Sequence, residues 1–230
     1  MSELDDLRAA VALGCRILGS EDQGDLVWGH VSARDPQGRG IWMKASGLGF
    51  DEIRPEDVIL VSWDGDVLEG EGKRHSEYAI HTELMRARDD VTSVVHTHAP
   101  WSVAFASLAQ PLRPISHDGT LFVPPDIARF TKTGDLILTQ ELGQALAETV
   151  GDRNAALMVH HGIVTCGDDV QTSVTNAVFL ERACRQNVRS YAAGGPGTWS
   201  SDEEALAKRE HVYSAQSAWD YLARRLERTR

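Results

Sequence analysis

Two histidines separated by one residue, His96 and His98, close an apolar run, TSVVHTHAP. In an extended chain, side chains at i and i+2 project to the same face, so both imidazoles point one way and Thr97 the other. Two imidazoles on one side of a rigid strand suit a single metal ion. Glu77 precedes His96 by nineteen residues, at the start of a helical pattern. A second apolar run, AALMV, ends in His160, His161 and Gly162, and seven of the nine histidines fall between positions 75 and 161. Imidazoles with a carboxylate suit zinc, manganese, iron or cobalt, and three histidines leave coordination positions open, as catalysis needs. The competing reading of His96 and His98, two buried polar residues satisfied by the backbone, does not explain why the other donors recur nearby.

The elements that must position these residues follow from periodicity. Leu4, Leu7, Ala10, Val11 and Leu18 recur with helical spacing over residues 2–19. Residues 39–46 read as a strand and hairpin partner of the GDLVWGHVSARD segment across the turn-forming PQGRG, and Val58–Ser62 as a short buried strand before a WDGD turn. A helix is predicted over 76–88, a strand over 92–98 and a helix over 101–108. Residues 111–125 read as irregular, 135–150 as helix interrupted near Thr139, 155–160 and 162–166 as strands meeting at a glycine, and 169–193 as one long helix. A Gly/Pro-rich linker, 194–200, then leads to a C-terminal helix over 202–227.

With 230 residues of which 42% are hydrophobic, the chain suits one domain, 1–230, with a well-buried core. No apolar run approaches the ~18–20 residues that span a bilayer, which predicts no membrane partner. The opening MSELDDLRAAV is acidic and lacks a basic n-region, so no secretory signal is expected. Cys15, Cys166 and Cys184 are scattered without CxxC spacing, which suits a reduced, cytoplasmic setting. A net charge of −11 argues against nucleic acid, and an anionic substrate would need a local basic pocket.

The order GHVSARDP, KASGLG, HSE, VVHTHAP and HHG resembles the class II aldolase/adducin family over residues 4–191. The resemblance implies an α/β fold, a three-layer α/β/α sandwich with a mostly antiparallel central sheet, assembled as a cyclic homotetramer with active sites between neighbours. It implies one divalent metal ion per subunit on His96, His98 and His161, and Glu77 as acid/base. Where sugar-phosphate members hold phosphate with Asn, Thr/Ser-Gly and Ser-Ser, this chain has Gly29-His30, Ser46-Gly47 and His75-Ser76. That makes His30, Ser46, Gly47, His75 and Ser76 the substrate-binding candidates, with His30 and His75 protonated to grip a planar carboxylate. Lys44 stands at the pocket edge, where a solvated charge is the ordinary expectation. A tyrosine that the family donates from a neighbouring subunit falls by spacing on His117.

The resemblance therefore implies a metal-dependent carbon–carbon lyase acting on a small anionic substrate. The replacements favour the branch that decarboxylates hydroxypyridine-dicarboxylate and dihydroxyphthalate acids. A sugar-phosphate aldolase or epimerase is the alternative, and a metal-lacking adducin-like scaffold the third reading. His81 is expected to pack or support its neighbours, and His211 to be solvated. Trp199, Tyr213, Trp219 and Tyr221 are expected in packing or subunit contacts.

Overall fold

The structure is a computed structural model that describes residues 3–212 and 214–228. Short β-branched and apolar runs, separated by turns, pair into one eight-stranded sheet. The strands are β1 (His30–Arg34), β2 (Gly40–Lys44), β3 (Val58–Ser62), β4 (Val67–Glu69), β5 (Ser93–Thr97), β6 (Ala128–Phe130), β7 (Ala155–Met158) and β8 (Gly162–Gly167). Their order is β4-β3-β2-β1-β5-β8-β7-β6. Neighbours are antiparallel except β6 and β7, which are parallel.

Side-chain alternation gives the sheet two apolar faces. Val31, Trp42, Val95, Leu157 and Ile163 join a core with Val11, Leu18, Val174 and Leu180. Those partners come from α1 (Glu3–Ser20) and α5 (Val170–Ala192), with α3 (Pro100–Ala106) on the same side. Ile41, Met43, Val94, Met158 and Val164 face the opposite way, against Ile80, Leu84, Leu146 and Val150. These belong to α2 (Ala79–Ala87) and α4 (Gln140–Val150). The result is the expected three-layer sandwich with a mostly antiparallel sheet, in one domain. Full burial of each such Leu, Ile or Val contributes ~1.5–3 kcal/mol. Side-chain caps close the two helices that leave the sheet: Asp169 accepts from Thr172 N–H at 2.6 Å, and Thr139 from Leu142 N–H at 3.3 Å.

Several boundaries differ from the periodicity. The C-terminal helix is two, α6 (Asp202–Val212) and α7 (Ala215–Arg228), and Tyr213 lies outside the described residues. Trp219 of α7 is buried in the α1/α5 core, whereas Trp199 and Tyr221 are about half exposed. Strand β6 has only three residues, too few to carry an alternation signal. Residues 76–78 form turns before α2, so Glu77 precedes the helix. Strand β7 stops at Met158, and residues 159–161 form the hairpin loop, with His160 at φ +63°. Among the described residues no helix is long and apolar enough to cross a membrane.

Candidate metal centre

The centre lies where β1, β5 and β8 meet, in the middle of the sheet. Register pairs His30 with His96 and Thr97 with Ile163. His98 follows β5 by one residue, and His161 precedes β8 by one. Gly162 makes this convergence possible. A Cβ there would lie 2.4 Å from the Thr97 carbonyl oxygen, 3.0 Å from His98 Cδ2 and 3.2 Å from His96 Cε1. Gly29, at φ +77°, similarly lets the chain enter β1 against Phe50 and the His96 carbonyl.

Hydrogen bonds assign the tautomers. His96 Nδ1–H donates to the Ile163 carbonyl at 2.9 Å, and His98 Nδ1–H donates to Asp25 Oδ2 at 2.8 Å. Each ring therefore turns an Nε2 lone pair inward, and the two Nε2 atoms are 3.2 Å apart. Facing lone pairs repel unless a cation lies between them. His161 Nδ1 is buried without a hydrogen-bond partner, and its buried Nε2 has only the Glu77 carboxylate, at 3.4 Å. One ligand atom from each of His96, His98 and His161 lies within 4.8 Å of the others. The unpaired His161 nitrogen, the nearby carboxylate and the converging lone pairs fit a divalent ion.

Glu77 stands beside this triad. Its Oε1 accepts from Ile137 N–H at 2.8 Å and lies 3.4 Å from His161 Nε2, while Oε2 is 3.9 Å from His96 Nε2. Burial would raise this carboxyl, but His161, His96 and the Ile137 N–H more than offset that and hold it at about 2. His96 is pushed well below its usual range by burial, reinforced by neighbouring imidazoles and opposed by Glu77. It is a neutral ring, as a metal ligand must be.

A second row of side chains runs away from the triad. The His30 ring lies 5.0 Å from His96 and 4.5 Å from His75. His30 Nδ1 meets His81 Nε2 at 2.6 Å, and His81 Nδ1 meets Ser32 Oγ at 2.7 Å. Lys44 Nζ donates to His75 Nε2 at 3.2 Å and to the Val27 carbonyl at 3.0 Å. Burial and the Lys44 charge bring His75 down to about 3, and burial with His75 and the other imidazoles brings His30 well below its usual value. This corrects the expected pair of cationic imidazoles: both rings are neutral, and the positive charge belongs to Lys44. Lys44 is also not a solvated edge residue; it is fully buried, and burial lowers its ammonium to about 8.

The remaining candidates lie further out. Ser46, Gly47 and Ser76 are exposed. His117 is exposed at the head of a short 3-10 turn, Asp118–Leu121, beside a cavity of about 510 Å³ that Trp199 and Lys208 also line. No metal-centre residue lines that cavity or the second one that His117 borders, and His117 belongs to neither cluster of candidate ligands among the described residues. Sequence reading missed Asp25 and the Ile137 N–H. Asp25 belongs to an irregular DLVW segment with no periodic signal, and a backbone donor leaves none.

The profile described as Class II Aldolase and Adducin N-terminal domain matches residues 9–188. The chain belongs to this family. It is 31% identical to a 5-deoxy-D-ribulose 1-phosphate aldolase from Bacillus thuringiensis serovar kurstaki, covering 82% of this chain and 87% of the relative. It is 30% identical to a 3,4-dihydroxyphthalate decarboxylase from Arthrobacter keyseri, covering 94% and 93%. An aldolase II superfamily structure from Pseudomonas syringae matches with a TM-score of 0.87 at 26% identity, covering 100% of this chain and 95% of the other. The class II aldolase family thus includes both carbon–carbon cleavage chemistries among the relatives of this chain.

Proposed function

We propose that this family member is a divalent-metal-dependent lyase that decarboxylates a hydroxylated aromatic acid. The observation that carries the choice is the row His30, His75 and Lys44 beside the triad. Two buried neutral imidazoles fill space where a phosphate would need several donors, and each already spends a nitrogen on a protein partner. The adjacent Lys44 ammonium, whose two hydrogen-bond partners are both neutral, favours an anion nearby. The turn that reaches His98 also exposes Leu26 and Trp28, an apolar rim suited to a ring.

His96, His98 and His161 would hold the ion, which when bound supplies Lewis-acid stabilisation of the enolate left by loss of carbon dioxide. The protein's own residues do the rest. The Ile163 carbonyl and Asp25 fix the His96 and His98 rings. Lys44 and His75 orient the acid. Glu77, an anion held by Ile137, takes the proton of the substrate hydroxyl and delivers it to the ring carbon that carbon dioxide leaves, with His117 of a neighbouring subunit as the second candidate donor.

Cleavage of a sugar phosphate is the second reading, favoured by the exposed Ser46, Gly47 and Ser76 and by the ribulose-phosphate aldolase relative. The test is direct. Metal-loaded protein is given 3,4-dihydroxyphthalate or 5-deoxyribulose 1-phosphate, and carbon dioxide and aldehyde are quantified. Carbon dioxide from the aromatic acid is expected, with loss of metal and activity in His161→Ala. Efficient aldehyde release with an inert aromatic acid overturns the decarboxylase reading. Full metal content in His161→Ala overturns the ligand set.

A further inference from the structure

We infer that Asp25 is a positioning residue for His98, and that the segment 23–28 is folded to deliver it. The inference rests on the metal-binding part of the proposed function. Four tethers hold the segment. Gln23 N–H donates to the Leu18 carbonyl at 3.0 Å, continuing from the end of α1. Its buried side chain accepts from Thr97 Oγ1 at 2.9 Å. Trp28 N–H returns to the Asp25 carbonyl at 2.9 Å, closing a tight turn, and the Val27 carbonyl accepts from Lys44. Inside that turn Leu26 adopts φ +50°, a left-handed conformation unfavourable for a side chain of its size, while remaining 76% exposed. A large apolar residue held in this way, with little burial in return, indicates that the turn is kept for what its neighbour does.

The neighbour is Asp25, whose Oδ2 lies 2.8 Å from His98 Nδ1. Thr97 and His98 are consecutive, so Gln23 and Asp25 clamp the end of β5 from both of its faces. Among the three ligand histidines, His96 is oriented by a main-chain carbonyl inside the sheet. His98 lies beyond the strand and is the most exposed of the hydrogen-bonded pair, so a separate acceptor must fix its ring. A carboxylate on Nδ1–H keeps the proton off Nε2, aims that lone pair at the centre and raises its basicity. Acceptors in this role are typically worth about 10–100-fold in metal affinity.

The experiment compares wild-type protein with Asp25→Ala and Asp25→Asn, all stripped of metal. Zn2+ affinity is measured by competition with a chromophoric chelator, and the His98 tautomer by long-range 1H–15N correlation in the metal-free chain. Asp25→Ala should bind Zn2+ about 10–100-fold more weakly and lose the uniform Nδ1–H form of His98. Asp25→Asn, which keeps a neutral acceptor, should fall between. Unchanged thermal unfolding of the metal-free variants separates positioning from loss of fold; should Asp25→Ala unfold, Asp25→Asn carries the comparison. Affinity within twofold of wild type, with the His98 tautomer unchanged, overturns the inference alone. Absence of Zn2+ binding by the wild-type chain overturns the metal reading and this inference with it.

Discussion

Lys44 offers a measurement that does not depend on knowing the substrate. Burial lowers its ammonium from 10.5 to about 8. Between these values the unfolded chain keeps the proton and the folded chain releases it. The unfolded state therefore binds more protons, and stability rises with pH across that window. At ~1.36 kcal/mol per pH unit, the rise attributable to Lys44 is about 3 kcal/mol. Below pH 8 the folded protein carries the charge and the full burial cost. Lys44→Met removes that cost, and also leaves the Val27 carbonyl without its donor, a loss of ~1–3 kcal/mol. At pH 7 the variant should thus be equal to or up to about 2 kcal/mol more stable than wild type. Its advantage should shrink by about 3 kcal/mol on going to pH 10.5, where wild type becomes the more stable. Urea unfolding of both metal-free proteins at half-unit steps from pH 7 to 10.5 gives the difference directly, since all other titrations are common to both. A difference flat to within about 0.5 kcal/mol over that range would refute the argument that Lys44 is a buried cation with neutral partners.

Two further expectations follow from the geometry. Gly162→Ala places a methyl 2.4 Å from a main-chain oxygen, so the variant should lose ~1–3 kcal/mol in urea unfolding and bind Zn2+ more weakly because His96 and His98 are pushed apart. His117 is exposed and lines no cavity together with the triad, so mixing inactive His96→Ala with inactive His117→Ala subunits should restore activity if it serves a neighbour; mixed oligomers seen by native mass spectrometry without activity would remove it from the mechanism.

The parts of the centre that were legible in the sequence were those whose spacing is set by strand geometry. His96 and His98 announce themselves because a strand puts i and i+2 on one face, and the glycine after His161 because two rings and a carbonyl crowd its α-carbon. Lys44 was misread for a related reason. Strand β2 is covered on both faces, so alternation does not mark one side as solvent, and Lys44 lies under the α1 layer near Cys15 and Phe50. The protonation of His30 and His75 was equally out of reach, because it depends on how deeply three imidazoles and one ammonium share a site that only folding assembles. Asp25 acts through a turn with no period at all.

This division has a mechanistic consequence. The candidate ligand rings are fixed by features that any chemistry on this fold can share: strand register at His96, a hairpin loop at His161, and a glycine that admits both. The residues proposed to meet the substrate occupy strand ends and turns, namely His30 at the first position of β1, His75 and Ser76 before α2, and Ser46 and Gly47 after β2. Substitution there changes donors and charge without disturbing the sheet. One scaffold can therefore serve the aldolase and decarboxylase chemistries named among the relatives, with His96, His98 and His161 as the residues that would hold an ion supplying Lewis-acid stabilisation in either case. In this chain His30 and His75 are buried neutral imidazoles with the Lys44 ammonium bonded to His75, and it is this arrangement on which the proposed preference for a planar acid over a tetrahedral dianion rests.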